Sequence, residues 1–448
     1  MSAEDCPHPP LRGTHSRERE LVGVRAATRG TLPASSLVAY GLFGMPLAMA
    51  ALPVYVHLPK FYGGGLGVDL ATLGVLLLCL RLADGLIDPL LGAWSDRALS
   101  RKAAIAIAAP VLALGMVALF APLPRTPGLL LLWLGVALAL VYVAFSLATI
   151  NHGAWGAELS ADPVERTRIT AVREGLALLG VVVASVAPTL LGAPGDPDSG
   201  LRVYAWWFAG FTLCCAAVML RAPAAPRPDP VAGSTWSGVR APLADPLFRR
   251  LLLVFVANGI ASAIPATLVL FFIADVLQAE AQQGLFLALY FIAGAAGMPL
   301  WVKLSARIGK VRAWALGMVA AIAAFVWAAL LGAGDTTAYA AICVLSGLAL
   351  GADLALPPSL LADVIGRGGR PRATGAYFGL WTLATKLNLA LAAGVALPLL
   401  AALGYTPGAR DGGALPALAL VYAALPCLLK AGAIVALVRF QSAFRRIA

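Results

Sequence analysis

Apolar residues along this chain fall into long, nearly unbroken blocks, without the polar face of a surface helix. A helix needs roughly 20 mostly apolar residues to cross a bilayer. Blocks of that length run at about 35–58, 69–95, 103–122, 128–157, 169–192 and 203–221, and again at about 248–274, 282–303, 312–331, 337–363, 373–403 and 413–438. A stretch rich in proline and arginine separates the two sets: Arg221, Pro223, Pro226, Arg227, Pro228, Pro230, Arg240 and Pro242. The pattern predicts an all-α membrane protein with twelve transmembrane helices in two six-helix halves. The expected segments are a tail over 1–34, a first half over 35–221, a linker over 222–247, a second half over 248–439 and a tail over 440–448.

Composition sharpens this picture. The 448 residues are 60% hydrophobic and 12% charged, with a mean hydropathy of +0.85. Soluble domains carry about 25% charged residues. A disordered chain, a disulfide scaffold and a nucleic-acid binder are excluded, despite a net charge of +11. Cys6, Cys79, Cys214, Cys215, Cys343 and Cys427 show no ligand spacing and read as small apolar residues. The Arg-rich start lacks a clear small-residue cleavage site and leads into a block long enough to span, so no cleaved signal is expected.

The basic excess is topological. With both termini cytoplasmic, the inside segments hold 25 of the 33 basic residues. The outside loops hold only Lys60, Arg125, Arg202 and Arg410. This bias orients the chain in a cell (inner) membrane and supports an even number of spans. Ser95-Asp96-Arg97 with Arg101-Lys102, after the second block, is echoed by Ser305-Ala306-Arg307 with Lys310 and Arg312, after the eighth. Two parallel halves of this kind are the architecture of the major facilitator superfamily, whose solute sites lie between the halves. Gly92-Ala93-Trp94-Ser95-Asp96-Arg97 with Arg101-Lys102 resembles the superfamily signature G-x3-D-R-x3-R-K, with Leu99 where a glycine is usual. Asp96 and Arg97 are therefore expected to gate.

Charged residues inside the blocks carry the chemistry, because each costs about 2.5–3.5 kcal/mol at mid-span. Arg81, Asp84 and Asp88 sit at i, i+3 and i+7, on one helical face. Two neighbouring carboxylates suit a monovalent cation, binding sodium through their oxygens or taking up a proton. Arg173 offers a guanidinium fork to a hydroxylated or anionic solute, with Glu174 expected to point elsewhere. Lys386, Trp155 and Trp381 lie beside the same expected cavity. His152 reads as a packing residue or a group that titrates near neutral pH, Asp353 as a second polar site or a partner for an arginine, and Lys430 as a side chain that snorkels or pairs with a neighbour. Gly347-x3-Gly351 reads as a close helix contact.

The run Arg81 to Gly92, R-L-A-D-G-L-I-D-P-L-L-G, resembles the second-helix motif of the glycoside-pentoside-hexuronide:cation symporters, the melibiose-carrier family. Three other stretches are similar to that family: Asn151-His152-Gly153-Ala154-Trp155 running to Glu165-Arg166-Thr167-Arg168 and Arg173; Asp363 with Gly375 to Trp381 and Lys386; and Gly404-Tyr405-Thr406-Pro407. The resemblance implies cation-coupled symport of a sugar or glycoside. It places the cation on Asp84 and Asp88, as metal ligands if the ion is sodium. It gives coupling to Lys386 and Arg81, and solute contact to Asn151, Trp155, Arg173 and Trp381. The chain departs from the family at Gly44-Met45-Pro46-Leu47 and at Asn151, where the family has sugar-binding aspartates, and at Ile87, where it has an asparagine. Coupling residues are kept and sugar-binding carboxylates are lost. Loss of the polar residue at Ile87 favours protons over sodium.

No resident cofactor is expected beyond a co-transported H+ or Na+, and the carrier is expected as a monomer. A lysophospholipid or other amphiphile carrier is the alternative within this fold, and a non-transporting receptor the alternative outside it. An enzyme is not expected. The chain shows no nucleophile elbow, metal-ligand spacing or phosphate-binding loop, and its histidines are His8, His15, His57 and His152.

Overall fold

A computed structural model describes residues 31–66, 68–124, 126–192, 197–223, 235–367, 373–405 and 414–444. Arg12 to Arg29, Arg125, Arg227, Arg370, Arg372, Thr406, Pro407, Arg410 and Arg445 lie outside these ranges, as do Cys6, His8 and His15. Among the described residues are twelve long helices. The first six are α1 (Ala34–Leu52), α2 (Leu70–Ala98), α3 (Arg101–Phe120), α4 (Pro127–Glu158), α5 (Pro163–Leu191) and α6 (Pro197–Leu220). The second six are α7 (Pro246–Phe271), α8 (Gln283–Ile308), α9 (Lys310–Phe325), α10 (Thr336–Gly366), α11 (Thr374–Ala402) and α12 (Leu415–Phe444). Eleven of these are long and apolar enough to cross a membrane. The other, α2, is 29 residues long, carries the acidic pair, and packs between α4 and α11.

Helix starts follow from short-range chemistry. Asp69 accepts the Thr72 amide at 2.8 Å, Ser100 the Ala103 amide at 3.2 Å, Asp162 the Val164 amide at 3.1 Å and Asp245 the Leu247 amide at 2.9 Å. Each satisfies an amide that the first helical turn leaves without a partner. Pro163 and Pro246 occupy first-turn positions, where no backbone N–H is needed. These caps explain where sequence boundaries slipped. The fifth helix begins at Pro163 rather than 169, because its polar first turns are held from outside: Glu165 accepts the Leu32 amide at 3.0 Å. The linker, expected as a loop, contains a short helix, Thr235–Ala244. The first helix continues through wider turns, Pro53–His57 and Phe61–Gly65, rather than ending near 58.

The first half is packed around one apolar cluster that includes Phe43, Met116 and Phe208. The second half holds two, one around Trp314 and Leu360 and one around Phe272 and Tyr422. Between the halves, α2 packs on α11 and α5 packs on α8 and α10. The α2–α11 crossing is very close. A Cβ at Gly92 would lie 2.1 Å from the Gly375 carbonyl oxygen, and one at Gly379 2.6 Å from the Asp88 carbonyl oxygen. Gly347 meets the backbone of Tyr290 on α8 in the same way, so the small-residue pair on α10 is a packing contact within the second half.

Candidate functional site

The α2–α11 crossing brings the mid-span charges together. Lys386 on α11 donates to Asp84 Oδ2 at 2.6 Å and straddles Asp88, 3.0 Å from Oδ1 and 2.9 Å from Oδ2. Its remaining proton goes to Ser146 Oγ on α4 at 3.0 Å, and Ser146 donates in turn to Asp84 Oδ1 at 3.0 Å. Asp84 and Asp88 are buried and Lys386 is half-buried. With both carboxylates ionised, the Asp84–Asp88–Lys386 group has a formal charge of −1. One monovalent cation would balance it, which matters where an uncompensated buried charge is costly. Arg81 is half-buried one turn before Asp84.

A second network lies at the end of the bundle that carries the basic loops. Arg101 on α3 reaches Glu158 Oε1 at 2.7 Å, Asp96 Oδ1 at 2.8 Å and Asn151 Oδ1 at 2.9 Å. Asp96 faces the other half through backbone groups. Its Oδ1 accepts the Gly375 amide at 2.8 Å and its Oδ2 the Ala376 amide at 3.0 Å. The residue preceding α11, Ala373, supplies no side-chain cap. Asp96 therefore caps α11 from across the molecule, on the positive end of the helix dipole. Arg97 is half-buried near Gly238 of the linker helix. Alongside, Arg166 on α5 reaches Asp363 Oδ1 on α10 at 3.1 Å, Lys310 pairs with the same carboxylate, and Thr167 meets the Ser359 hydroxyl at 2.9 Å.

Two residues that the resemblance assigns to the solute are placed elsewhere. Asn151 is fully buried, bound to Arg101, and donates to the Leu147 carbonyl at 2.9 Å. Trp155 is fully buried too. Its indole N–H donates to the Pro223 carbonyl at 3.1 Å, and the Lys102 ammonium lies 5.9 Å from its ring. Both side chains belong to the basic-end network in this conformation. Arg173 differs from expectation in its partner. It donates to Glu174 Oε1 from Nε at 3.0 Å and from Nη2 at 2.5 Å, because neighbouring long side chains on a helix can swing together. Trp381 is stacked on Phe255, with ring centroids 3.7 Å apart, so one ring face is already covered. His152 is packed, with Nε2 3.0 Å from the Tyr40 carbonyl oxygen and its ring against Tyr40 and Phe43.

Ser146, Glu158, Arg166, Lys310 and Asp363 were not singled out for chemistry by the sequence. A lone serine in an apolar block gives no signal, Glu158 stands in no motif, and Arg166, Lys310 and Asp363 entered only as parts of the basic bias, the repeat and the family resemblance. Asp353 and Lys430 are partners, 2.6 Å apart.

A two-half bundle of twelve helices, with charged groups bridging the halves at mid-depth and at one end, defines a secondary transporter of the major facilitator fold rather than an enzyme. The chain belongs to the MFS/sugar transport protein family, whose model matches residues 37–442. Among solved structures, it is similar to a bacterial homologue of the iron transporter ferroportin in an outward-facing state. The TM-score is 0.68 at 16% identity, over 92% of this chain and 100% of that one. It is also similar to the Escherichia coli fucose:proton symporter, solved as an Asn-to-Ala variant, with a TM-score of 0.68 at 14% identity, over 91% of this chain and 98% of that one. At these identities the likeness is one of fold. No curated protein matches the chain in sequence.

Proposed function

We propose that the protein couples movement of a monovalent cation, a proton in preference to sodium, to transport of a small organic solute, a sugar or glycoside, by alternating access. It would work as a monomer in the cell membrane, with its basic end and both termini cytoplasmic. The observation that carries this reading is the ammonium of Lys386 bridging Asp84 and Asp88 across the two halves. A cation on the carboxylates competes with Lys386, so occupancy of the cation site alters a link between the halves. A proton needs no coordination shell, and on joining either carboxylate it removes the charge by which that group holds Lys386. Ile87 adds no ligand oxygen for sodium and is exposed. The α2 motif and Lys386, which resemble the melibiose-carrier family, support the sugar or glycoside class. The fucose:proton symporter, by its name, couples a sugar to protons. Movement of one charge through about 100 mV supplies roughly 2.3 kcal/mol. At about 1.36 kcal/mol per tenfold, that concentrates a neutral solute roughly 50-fold.

The test is uptake by proteoliposomes of a panel of radiolabelled monosaccharides, disaccharides and glycosides, under an imposed proton or sodium gradient. Gradient-driven accumulation of at least one solute is expected, with at least a tenfold loss in Asp88→Asn. Accumulation undiminished in Asp88→Asn would overturn the cation site.

A further inference from the structure

Apart from Arg173 and Glu174, which pair within α5, the charged pairs described so far either join the two halves or belong to networks that do. The pair of Lys430 and Asp353 does not. Lys430 on α12 donates to Asp353 Oδ2 at 2.6 Å, to Asn258 Oδ1 at 2.7 Å and to Ser262 Oγ at 3.2 Å. Asp353 Oδ1 on α10 accepts the Trp314 indole N–H at 2.9 Å. All of these residues lie in the second half, so gating between halves does not account for the pair.

Lys430 and Asp353 instead form the polar corner of a cavity of about 350 Å³ between α7, α8, α9, α10 and α12. That is the size of a small-molecule site, roughly 300–1,000 Å³. Its walls are mostly apolar and include the rings of Phe286, Tyr290, Phe291, Phe325, Tyr339 and Tyr422. Leu178 of α5 also lines it, so the cavity reaches the seam between the halves.

The polar corner selects by charge. The three ammonium protons of Lys430 are all engaged, by Asp353, Asn258 and Ser262. An anionic head finds no free cationic donor there. A cationic head would meet a carboxylate already neutralised by Lys430 and would bring an uncompensated charge into an apolar space. Hydroxyl groups fit. Each Asp353 oxygen has a lone pair to spare beyond its one bond, and Ser262 keeps its own hydrogen to donate. The Tyr290 hydroxyl has no hydrogen-bond partner among the described residues. We infer that this cavity is a binding site for a neutral amphiphile with a hydroxylated head at the Asp353–Lys430 corner and an aromatic or short alkyl body among the rings. The site is separate from the coupling centre, so it goes beyond the reading above and does not depend on it.

Titration calorimetry on the full chain in lipid nanodiscs, without any ion gradient, tests this with phenyl β-D-glucoside, glucose, benzoate and benzylamine as probes. Phenyl β-D-glucoside is expected to bind at least tenfold more tightly than each of the other three. Ala266→Phe, which narrows the cavity from an exposed wall position, should weaken it at least tenfold. Tyr290→Phe should weaken it roughly fivefold through the loss of one hydrogen bond. Leu345→Phe, on the exposed side of α10, should leave it unchanged. Preference for a charged probe, no binding of phenyl β-D-glucoside, or full affinity in folded Ala266→Phe would overturn the inference. Absence of binding alongside intact, Asp88-dependent uptake would sink this site alone. Binding alongside uptake that ignores Asp88 would sink the coupling reading alone.

Discussion

At the scale of single residues, Lys386 decides the character of the centre. All three of its protons are directed at Asp84, Asp88 and Ser146. Removing it leaves two buried carboxylates facing each other, and breaking a buried pair from one side costs about 3–5 kcal/mol. Lys386→Ala should therefore lower the melting temperature in detergent by several degrees. Adding Asp88→Asn should restore part of the loss, because one of the two carboxylates left without the lysine is removed and only Asp84 remains charged. A double variant no more stable than Lys386→Ala would show that the cost is packing rather than charge. The acidic pair and the lysine were legible in the sequence because charge in an apolar block is rare and expensive. Ser146 was not legible, since a hydroxyl in such a block costs little and leaves no pattern. The partners of Asn151 and Trp155 were not legible either. The sequence shows that they lie on the fourth helix but not that Arg101 and the Pro223 carbonyl fill their polar atoms.

Among the helices, the contact of α2 with α11 matters most, and it rests on small residues and one carboxylate. Gly92, Gly375 and Gly379 let the two backbones meet, which places Lys386 within reach of α2. Asp96 then fixes the start of α11 by accepting two of its first amides. Loss of a helix cap costs about 0.5–2 kcal/mol. Asp96→Ala should thus cause little unfolding but loosen the contact between halves at the basic end. Spin labels on the basic ends of α2 and α11 should report a longer or broader distance distribution in the variant. An unchanged distribution would show that the Asp96 cap does not hold the two helix ends together. The helices themselves were readable from block length. Their ends were less so, because the polar first turns of α5 and the linker helix carry loop-like composition and are held by distant partners.

For the molecule as a whole, the polar bonds between halves described above run from the Lys386 centre to the basic end, where Asp96 and Arg166 cross. The acceptor for Arg166, Asp363, also holds Lys310. This sharing sets a ranking. Arg166→Ala leaves Asp363 still paired with Lys310, whereas Asp363→Ala leaves two buried cations without their shared anion. The aspartate variant should be the less stable of the two by about 3 kcal/mol, the low end of the cost of an orphaned buried charge. Thermal unfolding of both proteins in one detergent checks the order, and equal melting temperatures would contradict it. Twelve helices in two halves were plain from the hydrophobic blocks and the basic bias. The seam between halves was not, since no local pattern tells which helix faces which.

The Asp96 cap has an evolutionary consequence. Its partners on α11 are main-chain amides, so the cap asks no hydrogen-bonding side chain of the receiving helix, although Gly375 must stay small because a Cβ there would lie 2.6 Å from Asp96 Oδ1. A lineage of such proteins could exchange the buried Ala376 for another small residue while the cap survived, provided proline stayed out and the amide kept its hydrogen. Covariation between positions 96 and 376 would then be silent, and the closure would be invisible to any method that looks for paired substitutions.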